Sequence, residues 1–283
     1  MNLVTINTNV PGLNIPMVEM KPPSANYRVS VKPNTPLGNY CVAQHAASNK
    51  DWDQTARHVI SQSGTGVAYA ALQRNLRGEY SVRQLGNVKD VADLVGRDNM
   101  PRSWDGSTFV RGGVACFQWR ENISFKGSNG SKQPVNTDWY MSRALAETLG
   151  LYLLSDDQWE FAASGAGRNL EYATETGQLK GLDGQALAHC SIVENQTRTI
   201  DVDDPRNSRV QIGEDVIVGM TGNVWEWTDE NPAQKYPFGL RGGSFIFFNQ
   251  DCLRVGYRYD YDPGIRYVDI GVRLGRAVPR TQE

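Results

Sequence analysis

Residues 240–276 read LRGGSFIFFNQDCLRVGYRYDYDPGIRYVDIGVRLGR. The stretch opens on a tight corner, RGGS at 241–244, and closes on a short strand-like run, IGVRL at 270–274. Between them stand seven aromatic residues, Phe245, Phe247, Phe248, Tyr257, Tyr259, Tyr261 and Tyr267, spaced by Arg254, Arg258 and Arg266. A buried strand alternates apolar and polar residues or runs through β-branched ones. Here Tyr sits beside Asp in turn-rich chain around Asp262, Pro263 and Gly264, a composition closer to an antibody paratope than to a core. Tyr257, Tyr259, Tyr261 and Tyr267 suit a surface that is apolar on its flat and wet at its tip. The same rings can equally line a core, with the Asp residues making turns. For Phe247, Phe248 and Ile270 the core reading is at least as strong.

Working outward, the chain of 283 residues has room for one large domain or two small ones. Hydrophobic residues at 40% and charged residues at 21% are ordinary for a globular protein. A net charge of −2 gives no electrostatic case for nucleic acid or for an anionic membrane surface. No apolar run approaches the ~18 residues of a membrane span. Cys41, Cys116, Cys190 and Cys252 are scattered without CxxC spacing, and His45, His58 and His189 complete no zinc pattern, so no metal is expected. The N-terminus lacks a basic start followed by an apolar run, so no secretory signal is expected, and synthesis in the cytosol follows. Prolines at 11, 16, 22, 23, 33 and 36 favour extended chain, which makes residues 1–36 an arm or a small β-rich extension ahead of one domain over 37–283.

Within that domain, 67–82 is ambiguous between helix and hairpin, whereas 87–95 puts Val88, Val91, Ala92 and Val95 on one helical stripe. Residues 100–133 read as loop with strand fragments, surface excursions over the core. Residues 134–138 (PVNTD) offer N-cap side chains to a helix over 139–149 that Gly150 stops. Ser155 and Gln158 form a capping box for a second helix through Trp159 and Ala163; these residues build structure, and no chemistry is assigned to them. Residues 166–215 are polar and irregular, and their acidic run DVDDP at 201–205 reads as a solvated loop rather than a calcium site. In GMTGNVWEWT (219–228), strand alternation puts Trp225 and Trp227 on one face and Glu226 on the other.

Five of these segments, PVNTDW at 134–139, LLSDDQWEFAA at 153–163, GNVWEW at 222–227, RGGS at 241–244 and IGVR at 270–273, come in the order and spacing of a known family. The chain resembles the formylglycine-generating-enzyme/sulfatase-modifying superfamily over 134–276, poorly over 40–133 and not before. The resemblance implies an α+β chain with the C-type lectin fold in its formylglycine-generating-enzyme variant, irregular, with mixed and antiparallel sheet and two main helices. Enzymes of the superfamily bind copper through two cysteines after the GGS corner. Those positions fall on Phe247 and Cys252 here, and copper(I) needs paired soft thiolates. The resemblance therefore implies no copper, no cofactor and no oxidase chemistry, and Glu226 has no nucleophile near it in sequence to serve as base.

A second branch of the same fold fits better, the variable proteins of diversity-generating retroelements. Arg258, Pro263, Arg266, Ile270 and Gly271 match its scaffold; Phe245 and Val272 stand where Trp and Phe are expected. This likeness implies a variable ligand-binding segment at 245–269, with Phe245, Ile246, Phe247, Phe248, Asp251, Tyr257, Tyr259, Asp260, Tyr261, Gly264, Ile265, Tyr267, Val268 and Asp269 as binding positions. The genetic code offers a check. Asn codons altered at their adenines keep a pyrimidine third base and cannot encode Lys, Glu, Gln, Met or Trp. From 245 to 273 none of these occurs except Gln250, which must then be fixed. The implied function is non-enzymatic recognition of a protein or glycan on a host or target cell, at the tip of a virus or phage tail. The alternatives are a metal-dependent oxidase or other modifying enzyme of the superfamily, with a cytoplasmic location, and a calcium-dependent lectin, whose Glu-Pro-Asn and Trp-Asn-Asp signatures are missing.

Overall fold

The structure, a computed structural model, describes residues 3–22 and 37–278, so Pro23, Pro33 and Pro36 lie outside the described residues. In chain order the strands are β1 (Leu3–Asn7), β2 (Asn14–Met20), β3 (Tyr40–Ala43), β4 (Tyr69–Arg74), β5 (Tyr80–Leu85), β6 (Phe109–Arg111), β7 (Val114–Gln118), β8 (Tyr152–Leu153), β9 (Arg209–Ile212), β10 (Asp215–Val218), β11 (Trp225–Trp227), β12 (Gly239–Arg241), β13 (Arg258–Asp260), β14 (Ile270–Val272) and β15 (Leu274–Ala277). The helices are α1 (Asn49–Gln62), α2 (Val88–Val95), α3 (Trp139–Leu149) and α4 (Asp156–Ala163).

Local chemistry explains most of these boundaries. Asp138 caps α3 by accepting from the Met141 amide, and Gly150 ends it in the left-handed region at φ 72°. Ser155 and Gln158 close the capping box that starts α4. Asn87 caps α2. The ambiguous stretch 67–82 falls into the β4–β5 hairpin, turned at Asn75, whose side chain accepts from the Arg77 and Glu79 amides. The longest helix, α1, is the element that reading the sequence leaves out. Its signal is present: Ser48 and Asp51 form a reciprocal capping box, and Trp52, Thr55, Ala56 and Val59 make its buried stripe.

The strands form a five-stranded antiparallel sheet in the order β1-β2-β3-β15-β8, a sheet β5-β4-β7-β6, a mixed sheet β13-β12-β11-β14 with β11 and β14 parallel, and the small β9–β10 pair. One core cluster gathers Trp52, Trp119, Trp139, Trp225 and Trp227; another packs Trp159 and Phe161 of α4 against Val18, Val42 and Val210. The buried indoles donate inward, Trp139 Nε1 to the Thr228 carbonyl at 2.9 Å and Trp227 Nε1 to that of Thr137 at 3.0 Å, which removes the cost of burying an unpaired polar group.

One expectation needs correction. Residues 100–133 are not all surface excursion: β7 pairs with β4, and Phe117 and Trp119 are buried against Trp52. Their apolar mass fills the space between α1 and the sheet, which the glycine-rich surroundings hide in the sequence. Glu226 does point away from the two tryptophans, yet it faces a charged interior and not water.

Candidate ligand-binding face

The mixed sheet sets the geometry. Its register places Glu226 beside Arg241 and Arg241 beside Arg258, while Trp227 lies beside Leu240 and Leu240 beside Tyr259. Because side chains alternate across a sheet, one face carries Glu226, Arg241, Arg258 and Asp260, the last paired with Arg258, and the other carries apolar and aromatic residues.

On the charged face, Arg241 is fully buried and donates to Asp156 at 3.0 Å and to Glu160 at 3.1 Å, both from α4. Arg258 reaches the other Asp156 oxygen at 2.9 Å. Burial would raise the Asp156 pKa, but the Arg241 and Arg258 guanidiniums outweigh it and hold the carboxyl below its ordinary value. Arg273 clasps Glu226 at 2.7 Å and donates to the carbonyls of Ala43 and Val218, each at 2.8 Å. The Trp159 indole completes the Glu226 shell at 2.7 Å.

This network also grips the backbone of the segment that follows. Arg241 Nη1 donates to the carbonyls of Val255 and Tyr257, both at 3.2 Å. The Val255 amide bonds the Glu171 carbonyl at 2.9 Å, the Phe245 amide that of Asn223 at 3.0 Å, and the Trp139 amide that of Pro263 at 3.0 Å. Asn136 Nδ2 holds the Val268 carbonyl at 2.9 Å. At the RGGS corner, Gly242 and Gly243 have φ of 91° and 70°. A Cβ on Gly242 would stand 2.7 Å from the Met220 carbonyl oxygen, and one on Gly243 2.4 Å from Leu253, so the corner admits no side chain at either position.

The opposite face carries a row of rings. Phe247, Tyr257 and Tyr259 lie 5.2, 6.2 and 5.8 Å from the Trp225 ring. Tyr259 is followed by Tyr261 at 5.4 Å and Tyr261 by Tyr267 at 6.3 Å, with Trp227 beneath Tyr261. The row is graded in exposure. Phe248 at 77%, Tyr267 at 51%, and Ile246 and Tyr259 at 39% stand out, while Phe247, Tyr257 and Tyr261 are half-buried on the core. Burial and the neighbouring Tyr267 push the Tyr261 hydroxyl up to about 12, so it stays a neutral donor and acceptor over the physiological range.

Of the fourteen positions expected to bind, the structure leaves Ile246, Phe248, Asp251, Tyr259, Asp260, Gly264 and Tyr267 exposed, and Phe247, Tyr257, Tyr261, Ile265 and Val268 half-buried. Phe245 and Asp269 are corrections: both are buried. Phe245 stacks near His189, and Asp269 accepts from the Ser244 hydroxyl at 2.7 Å and so braces the corner. Arg254, which spaces the rings in sequence, pairs at the surface with Asp251 and Glu171. Cys252 lies buried beneath Tyr257, and Phe247 spends its side chain on Trp225. The residues that sequence reading missed are Asp156 and Glu160. Two carboxylates four apart on a helix otherwise apolar at Trp159, Phe161 and Ala162 require buried counter-charge, and that was the available signal.

A family model described as the sulfatase-modifying factor enzyme 1-like domain matches residues 30–278. The chain belongs to that family. The match reaches well beyond the 134–276 region that the motifs mark, through α1, α2 and β4 to β7. Among solved structures, one titled crystal structure of CarF superposes with a TM-score of 0.54 at 17% identity, covering 94% of this chain and 99% of that one. PvdO from Pseudomonas aeruginosa gives 0.51 at 14% identity, covering 98% and 100%. Treponema denticola variable protein 1 gives 0.49 at 16% identity, covering 96% and 98%. The CarF and PvdO superpositions, with the family, fix the fold as the formylglycine-generating-enzyme variant of the C-type lectin fold, as the resemblance implied. No protein of curated function matches the sequence.

Proposed function

We propose that this family member is a non-enzymatic binding protein whose 245–269 segment is a diversifiable recognition surface, altered by a retroelement and displayed on a rigid scaffold. The observation that carries this reading is the division of labour within the segment. Its backbone is tied by Arg241, Asn136, Glu171 and Asn223, which lie outside it, while Ile246, Phe248, Tyr259, Asp260, Gly264 and Tyr267 face solvent. Side chains at those positions can change without the fold depending on them. Large rings with polar tips give contact area at small entropic cost, and Asp and Gly give polar adaptability and room. The near-absence of residues that altered Asn codons cannot encode supports the same reading.

The partner in this reading is a protein or glycan on a host or target cell, and the setting is the tip of a virus or phage tail. The genome provides the test: an Asn-rich near-copy of the codons for 245–269 beside a reverse transcriptase is expected, and a locus with neither removes the retroelement. Family membership and Cys252, at the second copper position, favour the modifying-enzyme reading as the alternative. That reading expects tight one-to-one copper(I) binding lost in Cys252→Ala; the binding-protein reading expects none, because Phe247 fills the first position. Among the described residues no helix is long and apolar enough to cross a membrane.

A further inference from the structure

Beside the far end of the aromatic row a cleft of about 590 Å³ opens between the 105–108 and 120–125 loops, the start of α3 and the 264–266 turn. This lies within the size range of small-molecule sites. Its polar groups are unevenly committed. Glu121 is paired to Arg57, which lies outside the cleft, and Asp105 accepts from the amide and hydroxyl of Ser107. Asp138 is buried and takes bonds from Thr108 and from the Met141 amide.

The two guanidiniums are in the opposite condition. Arg266 lies over the Phe125 ring at 4.7 Å and bonds the Ile123 carbonyl; Arg120 bonds the Asp105 carbonyl and the Gln118 side chain. Among the described residues neither guanidinium forms an ion pair with a carboxylate. Burial presses against the Arg266 charge and lowers its pKa, with Asp138 the opposing influence. A partly buried guanidinium that bonds a carbonyl and lies over a ring retains donors suited to an anion.

We propose that this cleft binds an acidic saccharide, with the sugar carboxylate against Arg266 and Arg120 and its hydroxyls against Ser107, Gln118 and Asn122. The proposal rests on the ligand-binding reading above and names one ligand class for the fixed part of that surface. A polyphosphate is disfavoured, since it needs donors alone and would meet Asp105 and Glu121. A sugar acid presents one negative group together with hydroxyls that need acceptors as well as donors, and the lining supplies both.

The test is titration of the full chain with trisaccharides ending in glucuronate or N-acetylneuraminate, and with their neutral-ended counterparts, followed by calorimetry. At least one acidic glycan is expected to bind saturably and at least tenfold more tightly than its neutral counterpart. Arg266→Gln should reduce that affinity at least tenfold, with partial rescue in Arg266→Lys. Should Arg266→Gln fail to fold, Arg120→Gln, at an exposed position, is expected to weaken binding several-fold. No saturable binding, equal binding of acidic and neutral glycans, or binding only of an acidic peptide would overturn the proposal. The genomic test above bears on the recognition surface alone, so failure in the cleft is distinguishable from failure of that reading.

Discussion

The two faces of the β11–β12–β13 sheet belong to the same few residues of chain and have opposite dependencies. On one, Glu226, Arg241 and Arg258 are locked to Arg273, Asp156 and Glu160 in an interior where each charge has a partner in hydrogen-bonding range. On the other, Tyr259 and its neighbours lean on Trp225 and Trp227 and end in solvent. A buried ion pair tolerates no loss of a member, because the survivor is left charged and unsolvated. An exposed ring can be exchanged at little cost to the fold. In the proposed reading, stability and recognition are therefore carried by alternate residues of the same strands.

The charged face is the more sensitive of the two to substitution. Arg241→Ala should cost about 3–5 kcal/mol, since it takes a buried guanidinium away from both Asp156 and Glu160 and releases the carbonyls of Val255 and Tyr257. Trp227→Ala should cost a similar ~3–5 kcal/mol through the cavity it leaves. Both are read by denaturant unfolding, and an unchanged midpoint in either would show the core misplaced.

A smaller effect sharpens the point by contrasting two buried carboxylates. Asp156 has two guanidinium partners and is held below its usual value, so its contribution is present above the unfolded pKa and lost as pH falls through the folded one. Asp138 pairs with none and is pushed up to about 6, first by burial, despite bonds from Thr108 and the Met141 amide. Its sign is reversed: the stability it contributes as a neutral acid is full below the unfolded value of 3.8 and lost as pH rises through about 6. Asn is an equally good N-cap, so Asp138→Asn should gain on the parent by about 2–3 kcal/mol between pH 4 and pH 7. Unfolding curves at the two pH values check this, and a pH-independent difference would refute it.

The smallest expected change in stability belongs to the exposed rings. Phe248→Ala and Tyr267→Ala should each move the unfolding free energy by less than about 0.5 kcal/mol. Binding of the natural target should nevertheless weaken by about 2 kcal/mol or more at one of them, as for truncated interface aromatics. Variants that melt without losing binding would invert the assignment of the faces.

Much of this arrangement was legible in the sequence. The RGGS corner, the Asp138 cap of α3, the capping box of α4 and the WEW strand are local signals, set by glycine conformation, cap chemistry and alternation. α1 escaped because its Lys, Asp, Gln and Arg positions dilute the apolar stripe, although its capping box is plain once Ser48 and Asp51 are paired. The interior charges escaped for a different reason. Asp156 and Arg241 are 85 positions apart, and nothing local to either shows that the other neutralises it. Phe245 and Asp269 look like their variable neighbours in composition; only the fold shows them turned inward at the corner.

The central claim is that the backbone of 245–269 is held by residues outside it, independently of what its exposed side chains are. Native-state hydrogen exchange on a variant with Ile246, Phe248, Tyr259, Asp260 and Tyr267 all changed to Ser tests this directly. The amides to follow are those of Phe245, Val255 and Trp225, which bond the Asn223, Glu171 and Asp269 carbonyls. The account predicts that their protection stays within about tenfold of the parent, equivalent to about 1.4 kcal/mol. Exchange of all three at the rate of unfolded chain, with α3 and α4 still protected, would contradict it.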